Sequence, residues 1–231
     1  MKSLNILSGG AAQGLVTGLA PAFKAKTGFE IRGEFGAVGG MADKLRSGVA
    51  ADIIILTAAL VAKLAGERLV VASSIANVGV VETALAVRSG DPKVTAKDAK
   101  DLRKVFVAAD AIFVPDTKTS TAGIHVAKVL KQLGIADEVA DRLKVYPNGA
   151  TAMRELAASD AKRPIGCTQS TEIISTKGVE LSGVLPSGYE LATMYTAAVT
   201  SSAANAAIAQ ALIGLLVGAD ASDARRRAGF L

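Results

Sequence analysis

Four short segments of the sequence are rich in small residues, three of them also contain hydroxyl or amide side chains, and each lies between a strand pattern and a helical pattern. They are Leu7–Ala12, Phe35–Gly40, Ser120–Gly123 and Asn148–Thr151. Without bulky side chains, backbone N–H groups approach a ligand closely, and the helix N-terminus that follows supplies about half a positive charge. One such segment alone is an ordinary connection in an α/β protein. Several that converge predict an anion-binding cleft.

Residues of these segments, and polar residues at the ends of two further strand patterns, are the candidate ligand contacts. Ligands of open α/β sheets bind outside the carboxyl ends of the strands, where these residues fall. The candidates on these grounds are Ser8, Gly9, Gly10, Thr57, Thr121, Thr168 and Gln169.

Three further residues have two readings each. His125 is the only histidine and lies in the first turn of a predicted helix. It is either a general base or ligand donor, or a packed or surface side chain. Glu172 is a potential base, or it is solvated, or it is a partner to the helix dipole. Tyr195 directs its hydroxyl to the cleft or packs its ring in the core.

Composition excludes several classes of protein. Cys167 is the only cysteine, so no internal disulfide forms, and we expect a buried inert thiol because no second histidine or cysteine activates it. A single histidine argues against a His-rich metal site, and we expect no metal and no cofactor. Aromatic residues are 4% of the chain and the cations are scattered, so no nucleic-acid partner is expected. The net charge of +5 suits a small anionic ligand.

The N-terminus runs directly into a strand pattern, without the apolar region of a signal peptide. The longest apolar stretch, 206–218, is short and contains Gln210, which indicates a buried helix and no membrane insertion. As written, the chain is expected to be soluble and cytoplasmic. If a leader has been removed, the expected location is periplasmic.

Apolar strand runs alternate with helical patterns, which favours parallel βαβ units in an α/β fold. Two long strand patterns, near 80–88 and 194–199, are the places where the chain would leave one lobe and return. We therefore expect a discontinuous lobe I of residues 1–81 and 197–231, an inserted lobe II of residues 82–196, and a cleft between them. Among the predicted helices are Gln13–Thr27, Met41–Ser47, Ala58–Gly66, Thr121–Leu133 and Thr151–Ser159.

The order and spacing of several motifs resemble the molybdate-type solute-binding proteins of ABC transporters. The motifs are Leu7-Ser8-Gly9-Gly10, Leu19-Ala20-Pro21-Ala22-Phe23, Phe35-Gly36-Ala37-Val38-Gly39, Ala50-Ala51-Asp52-Ile53-Ile54-Ile55, Thr121-Ala122-Gly123-Ile124-His125, Ile165-Gly166-Cys167-Thr168-Gln169 and Tyr195-Thr196-Ala197-Ala198-Val199. The resemblance covers nearly the whole chain. It implies the two-lobed type II periplasmic-binding-protein fold, with a ligand cleft between the lobes and an ABC permease as partner if the protein is exported.

The resemblance also implies a ligand set. The family holds its oxyanion through backbone amides, two serine hydroxyls and a tyrosine hydroxyl. The two serines fall on Ala11 and on Val38 or Gly39, where no hydroxyl is present. The amides of the inserted lobe fall on Ala122 and about Thr151, and the tyrosine falls on Tyr195.

Losing a hydrogen bond to a charged ligand costs about 1.5–3 kcal/mol each, so the missing hydroxyls favour an organic carboxylate over molybdate. Some relatives of this fold family are isomerases of unsaturated tricarboxylates of the aconitate type. Two hypotheses therefore stand: a binding protein for a small anion, or a cofactor-independent isomerase that transfers a proton.

Overall fold

The computed structural model describes residues 2–231, which form nine β-strands and nine α-helices. The strands are β1 (Ser3–Gly9), β2 (Glu30–Gly36), β3 (Ile53–Thr57), β4 (Ala76–Arg88), β5 (Ala111–Pro115), β6 (Leu143–Tyr146), β7 (Pro164–Gln169), β8 (Val179–Val184) and β9 (Ala192–Val199). The helices are α1 (Gln13–Thr27), α2 (Val38–Arg46), α3 (Ala58–Gly66), α4 (Ala99–Ala108), α5 (Thr121–Gln132), α6 (Gly149–Ala158), α7 (Ser170–Ser175), α8 (Ala206–Val217) and α9 (Ser222–Arg227).

The chain divides into two compact units. Unit 1 contains Met1–Val81 and Thr193–Leu231, and unit 2 contains Glu82–Ala192. The first boundary coincides with the predicted one. The second lies four residues earlier than predicted, because Tyr195 and the residues after it pair with β3 and so belong to unit 1.

The sheet of unit 1 has the order β2-β1-β3-β9. Strands β1, β2 and β3 are mutually parallel, and β9 is antiparallel to β3. The run Ile53-Ile54-Ile55-Leu56 is fully buried, as expected for a strand with neighbours on both edges and helices on both faces. The buried carboxylate of Asp52 accepts backbone N–H groups from Asn5 and Asn205, each at 2.9 Å, and thereby ties β1 to the start of α8.

The sheet of unit 2 has the order β4-β7-β5-β6, and β8 pairs with β4. Strands β5, β6 and β7 are parallel, whereas β4 is antiparallel to β7 and to β8. The expectation of parallel βαβ units is therefore wrong for β4, β8 and β9. Strand β8 has no counterpart among the predicted elements, because it is largely half-buried and its sequence, Val-Glu-Leu-Ser-Gly-Val, lacks a continuous apolar run.

Local chemistry explains several helix boundaries. Helix α1 ends at Gly28, whose φ of 74° suits glycine. Thr57 caps α3, Asp98 caps α4 and Asn148 caps α6, each by accepting a backbone N–H from the first turn. Helix α2 begins at Val38, three residues before the predicted start, so Val38 and Gly39 belong to its first turn.

Candidate functional site

The carboxyl ends of β1, β2 and β3 meet at one edge of the unit 1 sheet, because these strands are parallel. Gly9 at the end of β1 pairs in register with Gly36 at the end of β2. Thr57 ends β3 and lies opposite Tyr195 of β9. The first two predicted turns, Thr57 and Tyr195 are therefore brought to the same edge, which we call the unit 1 edge.

Gly9 lies where two side chains approach the backbone closely. A Cβ atom at this position would lie 2.7 Å from Cγ1 of Val38 and 3.0 Å from Cε1 of Tyr195. Only glycine fits without displacing either side chain. The ring of Tyr195 is buried and also packs edge-on against Phe230, with the ring centroids 6.5 Å apart. Tyr195 thus contributes a packed ring to this edge.

Two helix starts at the unit 1 edge have no side-chain cap. One is the 3-10 turn Gly10–Ala12, which leads into α1, and the other is α2. In α2 the N–H of Met41 donates to the carbonyl of Ala37. The preceding N–H groups, of Val38, Gly39 and Gly40, therefore have no acceptor within the helix. These uncapped starts can donate hydrogen bonds to an anion.

The hydroxyl groups at this edge already make protein contacts. The Ser8 hydroxyl donates to the carbonyl oxygen of Gly9 at 2.9 Å. Oγ1 of Thr57 accepts the N–H of Leu60 at 3.4 Å. Ala11 and Val38 are buried and present only methyl groups. Backbone N–H groups are consequently the main donors for an anion at this edge, beside the O–H of Thr57, which can still donate.

Unit 2 contains a buried carboxyl group at the start of α6. Oε2 of Glu172 accepts a hydrogen bond of 2.6 Å from the Thr168 hydroxyl, and the backbone N–H groups of Gln169, Gly149 and Ala150 also donate to the carboxyl group. A Cβ atom on Gly149 would collide with Glu172 and Thr168, so glycine is required there. Glu172 therefore fills the anion-binding position at the N-terminus of α6 with the chain's own carboxyl group.

Burial raises the pKa of Glu172 above that of a free glutamate, and the four hydrogen-bond donors oppose this shift only in part. From the sequence, Glu172 is predicted to be a base, a solvated side chain or a partner to the helix dipole. The solvated alternative is wrong, because the side chain is buried. The four-residue spacing of Thr168 and Glu172 was a weak signal of their contact, whereas the contact with Gly149 depends on the tertiary structure.

Gln169, at the end of β7, has the most unusual environment among the predicted contacts. Its side chain is 2% exposed, and neither Oε1 nor Nε2 has a hydrogen-bond partner within residues 2–231. The hydroxyl groups of Thr83 and Thr171, also in unit 2, are buried and likewise without a partner. Thr83 and Thr171 are not among the contacts predicted from the sequence, since isolated threonines in a strand and a helix carry no pattern.

The other predicted contacts in unit 2 have partners in the protein. The N–H of Thr151 donates to Oδ1 of Asn148 at 2.9 Å, so it is not free for a ligand. Nε2 of His125 lies 2.7 Å from the carbonyl oxygen of Tyr189, which it contacts as a donor. Thr121 and the buried Ala122 form the first turn of α5, where no side-chain cap is present. Among the predicted contacts in this paragraph, only Thr121 and Ala122, at the uncapped start of α5, have backbone N–H groups without an acceptor in the helix.

Burial raises the pKa of the Cys167 thiol to about 12. The expectation of an inert buried thiol agrees with this environment, since a thiol is nucleophilic only as the thiolate.

Two grooves lie away from the unit 1 edge and from Glu172. One, of about 380 Å³ in unit 2, is lined mainly by apolar residues, with Lys104, Lys162 and Arg163 among its charged residues. The other, of about 300 Å³ in unit 1, lies between α1 and α8. Neither groove contains a predicted ligand contact.

Over residues 2–231, no group of three or more His, Cys, Asp or Glu side chains is arranged to hold a metal ion. No single helix in the same range is long and apolar enough to cross a membrane. The consecutive helical segments Ala206–Val217 and Ala219–Arg227 together have the length and composition of a membrane span, but their axes are bent by 58° relative to each other.

Comparison with known proteins gives consistent matches over the whole chain. A family model described as bacterial extracellular solute-binding protein matches residues 4–231. A curated relative, aconitate isomerase from Pseudomonas sp., is 24% identical over 99% of this chain and 87% of its own length.

Two solved structures show the same fold. The periplasmic molybdate-binding protein of Azotobacter vinelandii has a TM-score of 0.81 and 19% identity, with 99% of this chain and 98% of that one covered. The sulfate-binding protein SubI of Mycobacterium tuberculosis has a TM-score of 0.76 and 19% identity, with coverage of 100% and 86%. The α/β fold of this chain is thus that of the periplasmic binding proteins.

Proposed function

The chain belongs to the bacterial extracellular solute-binding protein family, and on that premise we propose that it binds a small organic carboxylate in preference to molybdate. The observation that carries this proposal is the composition of the unit 1 edge. Uncapped N–H groups of the 3-10 turn and of α2 lie next to the methyl groups of Ala11 and Val38.

A tetrahedral oxyanion presents oxygen atoms in every direction and requires donors on all sides. A carboxylate concentrates its charge on two oxygen atoms and leaves a carbon skeleton that packs against methyl groups. Buried polar atoms without a partner are costly, so a ligand oxygen directed at Val38 would be disfavoured. Backbone donors beside an apolar wall therefore suit a carboxylate better than molybdate.

A ligand panel tests this proposal. The purified protein is examined by thermal shift and then by calorimetry with molybdate, tungstate, sulfate, dicarboxylates and tricarboxylates. A ligand at a hundredfold excess over its Kd stabilises the fold by about 2.7 kcal/mol, which raises the melting temperature measurably. We expect one or more carboxylates to stabilise the protein and to bind more tightly than molybdate. Tighter binding of molybdate would contradict the proposal.

The second candidate function is isomerisation of an unsaturated di- or tricarboxylate without a cofactor. The curated relative with aconitate isomerase activity supports this alternative. Such a reaction moves a proton, and a general acid or base works best when its pKa lies near the operating pH. Glu172 has a raised pKa and is the group in unit 2 best suited to hold that proton.

Proton NMR in D₂O separates the two functions. A binding protein leaves its ligand unchanged, whereas an isomerase exchanges substrate protons with solvent and forms a second isomer. If turnover is seen, Glu172→Gln should abolish exchange, and Thr168→Val, which removes only one donor to the carboxyl group, should retain part of it. Stabilisation by carboxylates without exchange or product would exclude the isomerase.

The two functions also require different partners. A transport receptor delivers its ligand to an ABC permease outside the cytoplasmic membrane, whereas an isomerase acts alone. We propose the permease as a partner only for the binding function. Fractionation of cells that express the native gene tests this, because a receptor must be found outside the cytoplasm.

A further inference from the structure

The carboxamide of Gln169 is the least satisfied polar group in unit 2. It is 2% exposed, and both its oxygen and its nitrogen lack a partner among the described residues. Exchanging the two atoms by rotating the amide does not help, because both ends are equally without partners. Buried polar atoms in native proteins are nearly always hydrogen-bonded, so this carboxamide is built to meet a partner from outside the chain.

Two threonines extend the unsatisfied group. Thr83 of β4 lies directly opposite Gln169 of β7 in the antiparallel pair, so the two side chains are on the same face of the sheet. Thr171 follows two residues later in α7. Both hydroxyls are buried, and neither has a partner in the described chain. Among residues 2–231, one further buried side-chain oxygen lacks a hydrogen-bond partner, namely Oγ1 of Thr193 in unit 1.

The deficiency is local. One residue before Gln169, the hydroxyl of Thr168 donates to the Glu172 carboxyl group, which accepts four hydrogen bonds in all. Poor packing of the whole region would have left this neighbouring network incomplete as well. Within unit 2, the unsatisfied atoms are confined to Thr83, Gln169 and Thr171.

The chemistry of a carboxamide restricts its partner. Nε2 donates hydrogen bonds and Oε1 accepts them. Sulfate, molybdate and a deprotonated carboxylate only accept, so each satisfies Nε2 and leaves Oε1 unpaired. A partner that satisfies both must carry an acceptor together with an O–H or N–H donor.

We propose that the ligand is a hydroxycarboxylate, whose carboxylate accepts from Nε2 of Gln169 and whose hydroxyl donates to Oε1. An ammonium group is disfavoured as the donor, because Glu172, three residues along the chain, already accepts four hydrogen bonds, and the chain has a net charge of +5. Thr83, which faces Gln169 across the strand pair, can donate or accept and completes the contacts to the same two groups. This inference rests on the proposed binding of a small carboxylate and names its class.

Matched ligand pairs test the inference directly. Malate is compared with succinate, and citrate with propane-1,2,3-tricarboxylate, because each pair differs by one hydroxyl group. Calorimetry on the wild-type protein should show at least tenfold tighter binding of the hydroxylated member of the pair that fits the site. The site was built to hydrogen-bond that hydroxyl, so its loss leaves buried groups unpaired.

The variant Gln169→Leu removes both polar atoms at similar volume and should reduce the preference for the hydroxyl to below threefold. Gln132→Leu makes the same chemical change at an exposed position of α5 and should leave the preference unchanged. Circular dichroism confirms that each variant is folded. If Gln169→Leu does not fold, Thr83→Val is expected to weaken the preference.

The outcomes separate this inference from the proposed function. Equal affinity of wild-type protein for both members of each pair would overturn the hydroxycarboxylate while leaving carboxylate binding intact. An unchanged preference in folded Gln169→Leu would also overturn it, since water alone would then satisfy the carboxamide. Binding of molybdate with no binding of any carboxylate would overturn the proposed function itself.

Discussion

The hydroxyl of Thr168 donates a hydrogen bond of 2.6 Å to Oε2 of Glu172, and both side chains are buried in unit 2. The four-residue spacing places a donor at the end of β7 and an acceptor in α7. The start of α6 adds two backbone donors to the same carboxyl group. One buried carboxyl group therefore joins a strand and two helices, and several predictions depend on it.

The pH dependence of stability should contain a contribution from Glu172. Burial raises its pKa in the folded protein above that of a solvent-exposed glutamate. The folded state then binds the proton more tightly than the unfolded state, so the contribution to stability is fully present below the unfolded pKa and is lost as pH rises through the folded pKa. In Glu172→Gln this decline should disappear. Urea unfolding at a series of pH values measures it, and an identical slope in both proteins would contradict the assignment.

The close approach of Gly149 to Glu172 predicts that Gly149→Ala is destabilising. The new Cβ would collide with the carboxyl group and with Thr168, and overpacking of this kind costs about 1–3 kcal/mol. Gly214→Ala, in α8, is the control, because a Cβ there meets nothing within 4 Å. Chemical denaturation of both variants measures the difference. Equal stability of the two variants would count against the geometry around Glu172.

Gly9→Ala should weaken ligand binding at the unit 1 edge. Its Cβ would press on Val38 and Tyr195, at 2.7 and 3.0 Å, and displace the start of α2. Gly18→Ala, in α1, has open space around the new methyl group and should be neutral or stabilising by up to about 1 kcal/mol. Calorimetry with the tightest-binding carboxylate compares the two variants. Unchanged affinity in Gly9→Ala would place the ligand elsewhere.

Ala11→Ser should shift specificity toward molybdate. It restores a hydroxyl at a buried position next to the uncapped 3-10 turn. One hydrogen bond to a charged ligand contributes about 1.5–3 kcal/mol, which corresponds to a gain of roughly ten- to hundredfold in molybdate affinity. Ala22→Ser, at an exposed position of α1, is the matched control. A gain no larger than that of the control would show that position 11 does not contact the ligand.

The thiol of Cys167 should be unreactive in the native protein. Burial raises its pKa to about 12, so the thiolate population at pH 8 is very small. A colorimetric thiol reagent should modify the unfolded protein in urea within minutes and the native protein only as fast as it unfolds. Rapid stoichiometric modification of the native protein would show that the strand is accessible.

Much of the secondary structure could be predicted from the sequence because its signals are local. Helix α1 follows from its apolar spacing and from Gly28, and helix α3 from Thr57 and the apolar run before it. The first boundary between the units, after Val81, follows from the long strand pattern near 80–88, where the chain leaves one unit for the other. The resemblance to molybdate-type proteins places serines at Ala11 and at Val38 or Gly39, and the sequence shows that no hydroxyl is present there.

Only the tertiary structure decided which polar groups are free. Nε2 of His125 contacts the carbonyl oxygen of Tyr189, 64 residues away along the chain, although the imidazole looked available from the sequence. Gln169 and Thr83 are far apart along the chain and become neighbours through the antiparallel pairing of β7 with β4. Burial and hydrogen-bond satisfaction depend on contacts between distant segments, and no local pattern of residue types encodes them.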